Sequence, residues 1–598
     1  MRYILLILLF CLPWQIASSQ KFYFRGEVKD DAGNPLQNVS ILQHRTGYVF
    51  RSGTSGNFGV TSNFNPDTLS FSLDGYKTEK KLVSANDYLH ITLKLLPPVI
   101  GNPQREKLAS ITNDFNLADK NKLAIGNETY TEIVENHFVN ASKFPSTGLS
   151  LSVNRASYSN IRRFINQSSL VPSDAVRIEE MLNYFNLNYR QPDTNQLFSA
   201  RTKINDCPWD KTHKLFHVNL SSQKLNLDSL PPSHLVFLID VSASMDMPNR
   251  LPLLQSAFRL LINNLRAKDS VSIVVYGGIT AVMVNSLSGE HRDSLYKVID
   301  GLTPGGSTPG ESGIKLAYQI ASRHFIKGGN NRVILATDGD FNVGLKSEAE
   351  LDEMISSQKQ SGVYLTCLGV GMGNYKDSKI QLLAAKGNGN FAYLDNFQEA
   401  EKVLMTEFTQ TLFSVADDVY MDVKFDPSLV NSYRLLGFDN KAGALQDSLS
   451  VIEGGEIGSG YSMEAVFEIE PSVYGAAVLA HTNSNICTDT LADINLQYRY
   501  PGDTTHLHFI YKAPYVLDQD SASLRNSNFT AAVAYFGMML RQSTYVNSKK
   551  FDWEGLLKLA QLSADMNDPY QREFVAMVQR AKELFGHKKK KGLKGLFN

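Results

Sequence analysis

Cysteine is nearly absent, with four residues in a chain of 598: Cys11, Cys207, Cys367 and Cys487. So few in so long a chain cannot form a disulfide framework. Cys367 falls inside an apolar run, where it reads as a small hydrophobe, and a bridge between Cys207 and Cys487 stays open. An excess of either charge is missing as well. Lys and Arg number 59 against 60 Asp and Glu, a formal net charge of -1, so electrostatics give no reason to expect nucleic acid or an anionic membrane as the main partner. The basic cluster HKKKKGLKG at 587–595 reads as a solvated tail, with a weak contact to anionic lipid or glycan as the alternative. Long apolar runs are lacking beyond the first twenty residues. FTAAVAYFGMML (529–540) falls short of the roughly 18 residues needed to span a bilayer and is expected to be a core helix. No histidine precedes a glutamate, which excludes HExxH, and neither GxxxxGK[ST] nor GxSxG occurs. His506 with His508 and His213 with His217 lack further ligands for zinc and are expected to be structural or solvent-facing.

The composition, 43% hydrophobic and 20% charged, describes a globular chain long enough for about four domains. Arg2, the apolar run from Ile4 to Leu12, and Ala17-Ser18-Ser19 have the three parts of a secretory signal, with cleavage expected after Ser19. Phe10 ahead of Cys11 departs from the small residue of a lipoprotein signal, so no lipid anchor is expected.

The richest segment is LVFLIDVSASM (235–245). Leu235 to Ile239 are apolar without alternation, which predicts a strand buried on both faces of a parallel α/β sheet. Beyond it, Asp240, Ser242 and Ser244 alternate, so a carboxylate and two hydroxyls can face one point. Hard oxygen groups that converge suit a divalent cation such as Mg²⁺, and ligands in open α/β sheets collect at the carboxyl ends of strands. Further on, GGSTPGESG (305–313) places Thr308 in a glycine-rich loop before a helix, and RVILATDGD (332–340) is a second buried-looking strand ending at Asp338. Taken singly, each residue has a plainer reading: Thr308 with Glu311 is also a capping box, Asp240 and Asp338 are ordinary turn or cap residues, and the serines are ordinary loop hydroxyls. Asp246 and Asp340 add nearby negative charge without being expected ligands. Between these points helices are expected at about 250–266, 290–300, 310–326, 347–360, 377–386 and 397–413. Strands are expected at 271–276, near 280–284, at 363–371 and at FAYLD. That alternation argues for a doubly wound sheet.

DVSASM, GGSTPG and ATDGD in this order resemble the metal-ion-dependent adhesion site of a von Willebrand factor type A (vWA) domain, over roughly 230–415. The resemblance implies that Ser242, Ser244 and Thr308 bind the metal directly and that Asp240 and Asp338 hold it mostly through water. Neutral hydroxyl ligands would leave much of the ion's charge uncompensated, so a partner's Asp or Glu carboxylate can complete the coordination. The ion is expected to be Mg²⁺, with Mn²⁺ or Ca²⁺ as alternatives.

The rest of the chain extends the pattern. Residues 20–97 alternate in short runs around turns and predict a small β-sandwich. It resembles a carboxypeptidase regulatory-like domain at Gly33, Pro35, Gly56, Phe58, Gly75 and Tyr76. A polar stretch at 98–138 reads as a linker. In 139–225 two amphipathic helices are expected, near 155–167 and 173–186; 418–515 is β-rich and 522–586 helical. These flanks resemble the N- and C-terminal vWA-associated domains of exported bacterial vWA proteins, except that Asn154 and Arg155 stand where relatives carry an acidic Asp-x-Asp-Thr. The expected fold class is therefore multidomain: a Rossmann-like α/β vWA domain, an N-terminal β-sandwich and mixed α/β flanking domains (139–225 and 418–590), with 591–598 as a tail. The expected function is non-enzymatic, metal-dependent capture of a protein ligand in the periplasm or on the outer envelope of a Gram-negative bacterium, with no transmembrane segment after signal cleavage. The alternative is an envelope assembly scaffold in which the metal site is accessory.

Overall fold

The computed structural model describes residues 21–94 and 128–586, apart from 188–190, 227–229, 307–309, 340–354, 356–361, 439–454, 482–488, 547–552 and the shorter gaps 32, 47, 74–75, 86, 194, 373–374, 388, 408–409, 411–412 and 519. The expected signal segment with Cys11, Gly75, Thr308, Asp340, the body of the 347–360 helix, Cys487 and the basic tail lie outside the described residues. The chain divides into two units, Met1–Ser110 and Ile111–Asn598.

Among the described residues of the first unit seven strands form two sheets: β1 (Phe22–Asp30), β2 (Ser40–Gln43), β3 (Val49–Arg51), β4 (Asn57–Ser62), β5 (Asp67–Ser72), β6 (Glu79–Val83) and β7 (Tyr88–Leu93). The order is β4-β1-β7 in one sheet and β3-β2-β5-β6 in the other. Strict in-out alternation along β4 and β7 turns one face of each inward. Phe24, Val28, Ile41, Val60, Phe71 and Ile91 meet in one core. Gly56 has φ +73°, and a Cβ there would meet the Val28 carbonyl oxygen at 2.5 Å, so this turn requires glycine.

The second unit contains the expected α/β sheet, in the order β14-β13-β12-β15-β16-β17. The polypeptide enters it after β8 (Val139–Asn140), β9 (Ser146–Ser150), helices α1 (Ala156–Asn166) and α2 (Ile178–Leu182), β10 (Phe198–Asp206) and β11 (Lys214–Ser222). The sheet itself comprises β12 (Ser233–Asp240), β13 (Ser270–Tyr276), β14 (Ala281–Ser288), β15 (Asn330–Thr337), β16 (Val363–Val370) and β17 (Phe391–Leu394). Every residue of β12 is buried. Its alternation is absorbed by two different cores: Leu235, Phe237 and Ile239 pack with α3 (Leu251–Asn263) and α4 (Arg292–Asp300), and Val236 and Leu238 with α5 (Gly310–Arg323) and α6 (Asp377–Lys386). Helices on both faces explain the unbroken apolar run. The sheet is parallel except for β14, which pairs antiparallel with β13 at the edge. Within the helix expected over 397–413, α7 (Phe397–Glu401) runs into one π turn at Lys402–Thr406, and 408–409 and 411–412 lie outside the described residues.

The chain then forms β18 (Ser414–Phe425), β19 (Val430–Leu436), β20 (Gly455–Gly458), β21 (Ser462–Pro471), α8 (Val473–His481), β22 (Thr490–Arg499), β23 (Leu507–Pro514), α9 (Ser521–Arg541), α10 (Trp553–Ser563) and α11 (Pro569–Phe585). Expected as two flanking domains, the segments before and after the α/β sheet instead build joint sheets. One has the order β10-β11-β21-β19-β8; in the other, β20-β18-β22-β23, β9 pairs with β18. Helices α1 and α2 likewise share a core with α9, α10 and α11.

Two further expectations are corrected. The helix expected over 173–186 is broken: a 3₁₀ turn at Ser173–Ala175 and extended Val176 precede α2. Ser157 causes the break, because its hydroxyl donates to the Ala175 carbonyl at 2.7 Å and accepts the Arg177 N–H at 2.9 Å, diverting groups a continuous helix would use. The end of the expected linker is a structured strap. Glu128 accepts two bonds from Arg163 at 2.7 and 2.8 Å, the Thr129 N–H donates to the Tyr375 carbonyl, and Asn136 caps the Leu435 and Gly437 carbonyls.

Candidate metal centre

The carboxyl ends of β12 and β15 lie side by side, with Ile239 paired to Ala336, so Asp240 and Asp338 leave the sheet as neighbours. Each is 1% exposed. Asp240 spends both oxygens on holding the loop: Oδ1 accepts the Ser242 N–H at 2.9 Å, and Oδ2 accepts the hydroxyls of Tyr276 and Thr337, each at 3.1 Å. Burial, and the charge of Asp338 to a lesser degree, raise the Asp240 carboxyl above its ordinary range, against the bonds from Ser242. The turn brings the Ser242 and Ser244 hydroxyls to 3.0 Å from each other.

The surrounding loops brace this turn. The Ala243 N–H donates to the Gly306 carbonyl at 3.0 Å, and the Gly305 N–H to the Val241 carbonyl at 2.7 Å, tying the glycine-rich loop to the serine loop. Gly277 has φ +144°, and a Cβ there would fall 2.5 Å from the Ser242 nitrogen. Buried Arg250, at the entrance to α3, donates to Asp338 Oδ2 at 2.7 Å, to the Ser244 carbonyl at 2.5 Å and to the Met372 carbonyl at 2.9 Å. It thus links the loops after β12, β15 and β16.

Four of the five expected ligands are described, and these four stand together; Thr308 lies outside the described residues, between Gly306 and the start of α5. Asp246 is exposed. The donor set fits a hard cation. Adjacent ligands of an octahedral Mg²⁺ at about 2.1 Å lie about 3 Å apart, the spacing of the two serine hydroxyls. The mutual repulsion of two buried carboxylates is what a bound cation would relieve. Among the described residues no group of three or more His, Cys, Asp and Glu side chains is placed to hold a metal ion.

Sequence reasoning missed Arg250, Tyr276 and Thr337. Thr337 was within reach, since it precedes Asp338 and its side chain falls on the Asp240 side of the turn; the other two carried no local signal. The histidine pairs are structural or surface groups. His217 is fully buried between Glu464 at 2.7 Å and Asn205 at 2.6 Å, and exposed His508 contacts Asn495 at 3.2 Å. Asn154 and Arg155 also serve the framework: Asn154 Oδ1 accepts the Phe391 N–H at 2.9 Å, and Arg155 is paired with Glu407.

A Rossmann-like sheet with this loop at its carboxyl end defines a von Willebrand factor type A domain protein, and the model of that domain matches residues 234–406. Models described as von Willebrand factor and as the C-terminal part of uncharacterized protein YfbK match 124–217 and 410–584. The chain belongs to the YfbK family: it is 36% identical over 474 residues to the uncharacterized protein YfbK of Escherichia coli (strain K12), covering 76% of this chain and 81% of that protein. It is also 28% identical over 174 residues to the uncharacterized protein sll0103 of Synechocystis sp. (strain ATCC 27184 / PCC 6803 / Kazusa), covering 28% of this chain and 39% of that protein. Similar solved structures include a von Willebrand factor type A protein from Catenulispora acidiphila, with 13% identity and TM-score 0.38, covering 65% of this chain and 91% of that chain. Another is the ArnB paralog VWA2 from Sulfolobus acidocaldarius, with 16% identity and TM-score 0.31, covering 65% and 97%.

Proposed function

We propose that this chain is an exported, non-enzymatic binding protein. In it Ser242, Ser244 and Thr308 bind a divalent cation, Mg²⁺ or else Mn²⁺ or Ca²⁺, and Asp240 and Asp338 hold it mainly through water. vWA domain proteins typically mediate protein interactions. The observation that carries the reading is the pair of hydroxyls 3.0 Å apart above two buried carboxylates at adjacent strand ends. When bound, the cation supplies a Lewis-acidic position for an Asp or Glu carboxylate of a protein ligand. The chain's own groups keep the serine loop in place through Asp240, Tyr276, Thr337 and Arg250. Residues 20–97 serve as a carboxypeptidase regulatory-like β-sandwich that acts as a spacer or docking module, after a signal ending at Ser19. The work site is the periplasm or outer envelope of a Gram-negative bacterium. No helix among the described residues is long and apolar enough to cross a membrane.

A second reading, an envelope scaffold with an accessory metal site, is favoured by the way the flanks grip the vWA sheet. Arg162 of α1 joins Asp395 and Glu399 beside β17 to Glu573 of α11, and Arg177 pairs with Asp377 of α6 at 2.7 Å. Calorimetric titration of the chain with Mg²⁺ and Mn²⁺, beside the Ser242→Ala, Ser244→Ala double variant, tests the metal site: saturable binding lost in the variant is expected. Pull-down of envelope proteins with Asp240→Ala separates the two functions. Capture by that variant equal to wild type would transfer the role to the scaffold.

A further inference from the structure

Three large, exposed apolar residues stand on loops whose backbones are tied to the serine loop or to Arg250 beside it. Met247 is 48% exposed, Ile279 65% and Met372 39%, and they stand on the loops after β12, β13 and β16 respectively. Backbone contacts hold their loops beside the candidate centre. The Arg250 N–H donates to the Met247 carbonyl at 3.0 Å, and its guanidinium reaches the Met372 carbonyl while also holding Asp338 and the Ser244 carbonyl. Gly277 and Gly278, which precede Ile279, pack against Ser242 and Gly306 so closely that a Cβ on Gly277 or Gly306 would collide. Met372 is also steadied from the flank, where the Gln167 amide donates to its sulfur at 2.8 Å. Exposed apolar side chains gathered from separate loops around a polar site mark a contact surface, and methionine adapts its shape to a partner.

We infer that Met247, Ile279 and Met372 form an apolar collar that selects the partner: an extended protein segment whose single Asp or Glu is flanked by large apolar side chains. This deepens the metal-site reading and rests on it. A carboxylate alone is common on protein surfaces, so charge complementarity at the ion cannot discriminate among partners. The collar adds discrimination by burying the neighbours of the correct acid, whereas polar or charged neighbours would lose hydration against methionine and isoleucine without gaining partners.

The test uses the full chain with saturating Mn²⁺ and two fluorescently labelled peptides, Gly-Leu-Asp-Phe-Gly and Gly-Ser-Asp-Ser-Gly, both capped, with binding followed by anisotropy. The apolar-flanked peptide is expected to bind at least about tenfold more tightly, the discrimination given by partly burying one or two such side chains. In the Met247→Ser, Ile279→Ser, Met372→Ser triple variant the preference is expected to fall within about twofold, with calorimetric Mn²⁺ titration as the control for an intact site. Equal binding of both peptides by the wild-type chain, or no binding of either in the presence of titrated Mn²⁺, overturns the collar while leaving the metal site standing. Binding of the apolar peptide that persists in the triple variant overturns it equally. Absence of Mn²⁺ titration in the wild-type chain removes the metal-site reading itself, and the collar with it.

Discussion

Replacing Glu456 by glutamine should flatten a measurable part of the pH dependence of stability. Glu456 lies on β20 in the flanking sheet, 7% exposed, and accepts from Arg332 of β15 at 2.8 Å. Arg332 is fully buried, donates to Thr366 at 2.9 Å and lies over the Tyr364 ring at 5.1 Å. Burial pushes the Glu456 carboxyl from 4.5 to about 7, outweighing the attraction of Arg332, and Asp417 adds to the rise. The folded state therefore holds this proton more tightly than the unfolded chain. Its stabilising contribution is complete below about pH 4.5 and is lost as the pH rises through about 7. A difference of about 2.5 units, at about 1.4 kcal/mol each, amounts to roughly 3 kcal/mol. Other buried carboxyls titrate in both proteins, so the quantity to compare is the wild-type minus Glu456→Gln difference in unfolding free energy at pH 5 and pH 8. Urea unfolding followed by the fluorescence of Trp209 and Trp553, both in the helical flank core, reads the relevant unit. Part of the contribution is already lost at pH 5, so the difference should shrink by about 2.5 kcal/mol from pH 5 to pH 8. Equal pH slopes in the two proteins would refute the assignment of a proton to Glu456.

Three further outcomes are expected. Arg332→Met alone should destabilise the chain by about 3 kcal/mol at pH 8 by stranding a buried carboxylate, whereas the Arg332→Met, Glu456→Met pair should recover most of it; a double variant as unstable as the single in urea would count against the buried pair. Gly371 has φ +82°, and a Cβ there would come within 2.5 Å of Arg250 Nε, so Gly371→Ala should cost roughly 1–3 kcal/mol and weaken Mn²⁺ titration by displacing Arg250; unchanged titration would uncouple that arginine from the site. Phe529, 1% exposed, meets the rings of Phe185 at 4.9 Å and Phe574 at 5.4 Å, so Phe529→Ala should cost about 3–5 kcal/mol in thermal or urea unfolding; a loss under about 1 kcal/mol would contradict the packing.

What the amino-acid sequence determined by itself was whatever its period or its neighbours encode. The unbroken apolar run at Leu235–Ile239 requires cover on both faces, and α3 with α4 and α5 with α6 supply it. Alternation past Asp240 set the two serines toward one point, and Asp338 followed from the parallel strand beside it. Strand and helix types along the vWA segment were legible for the same reason. Tertiary structure alone decided the rest, because those contacts join residues far apart in the chain. The helix expected over 173–186 yields to a hydroxyl from Ser157, the strap at 128–138 is held by Arg163 on Glu128 and by Asn136 on the Leu435 carbonyl of β19, and Arg332 meets Glu456 across 124 positions. The joint sheets of the two flanks depend on strands such as β11 and β21, separated by the whole vWA segment, pairing in register. Arg250 belongs to the same class: nothing beside it in the sequence announces its partners, and only the folded loops bring Asp338, Ser244 and Met372 around one guanidinium. Local patterns encode which way a side chain faces, while ion pairs and sheet partners are chosen by the packing that brings distant faces together.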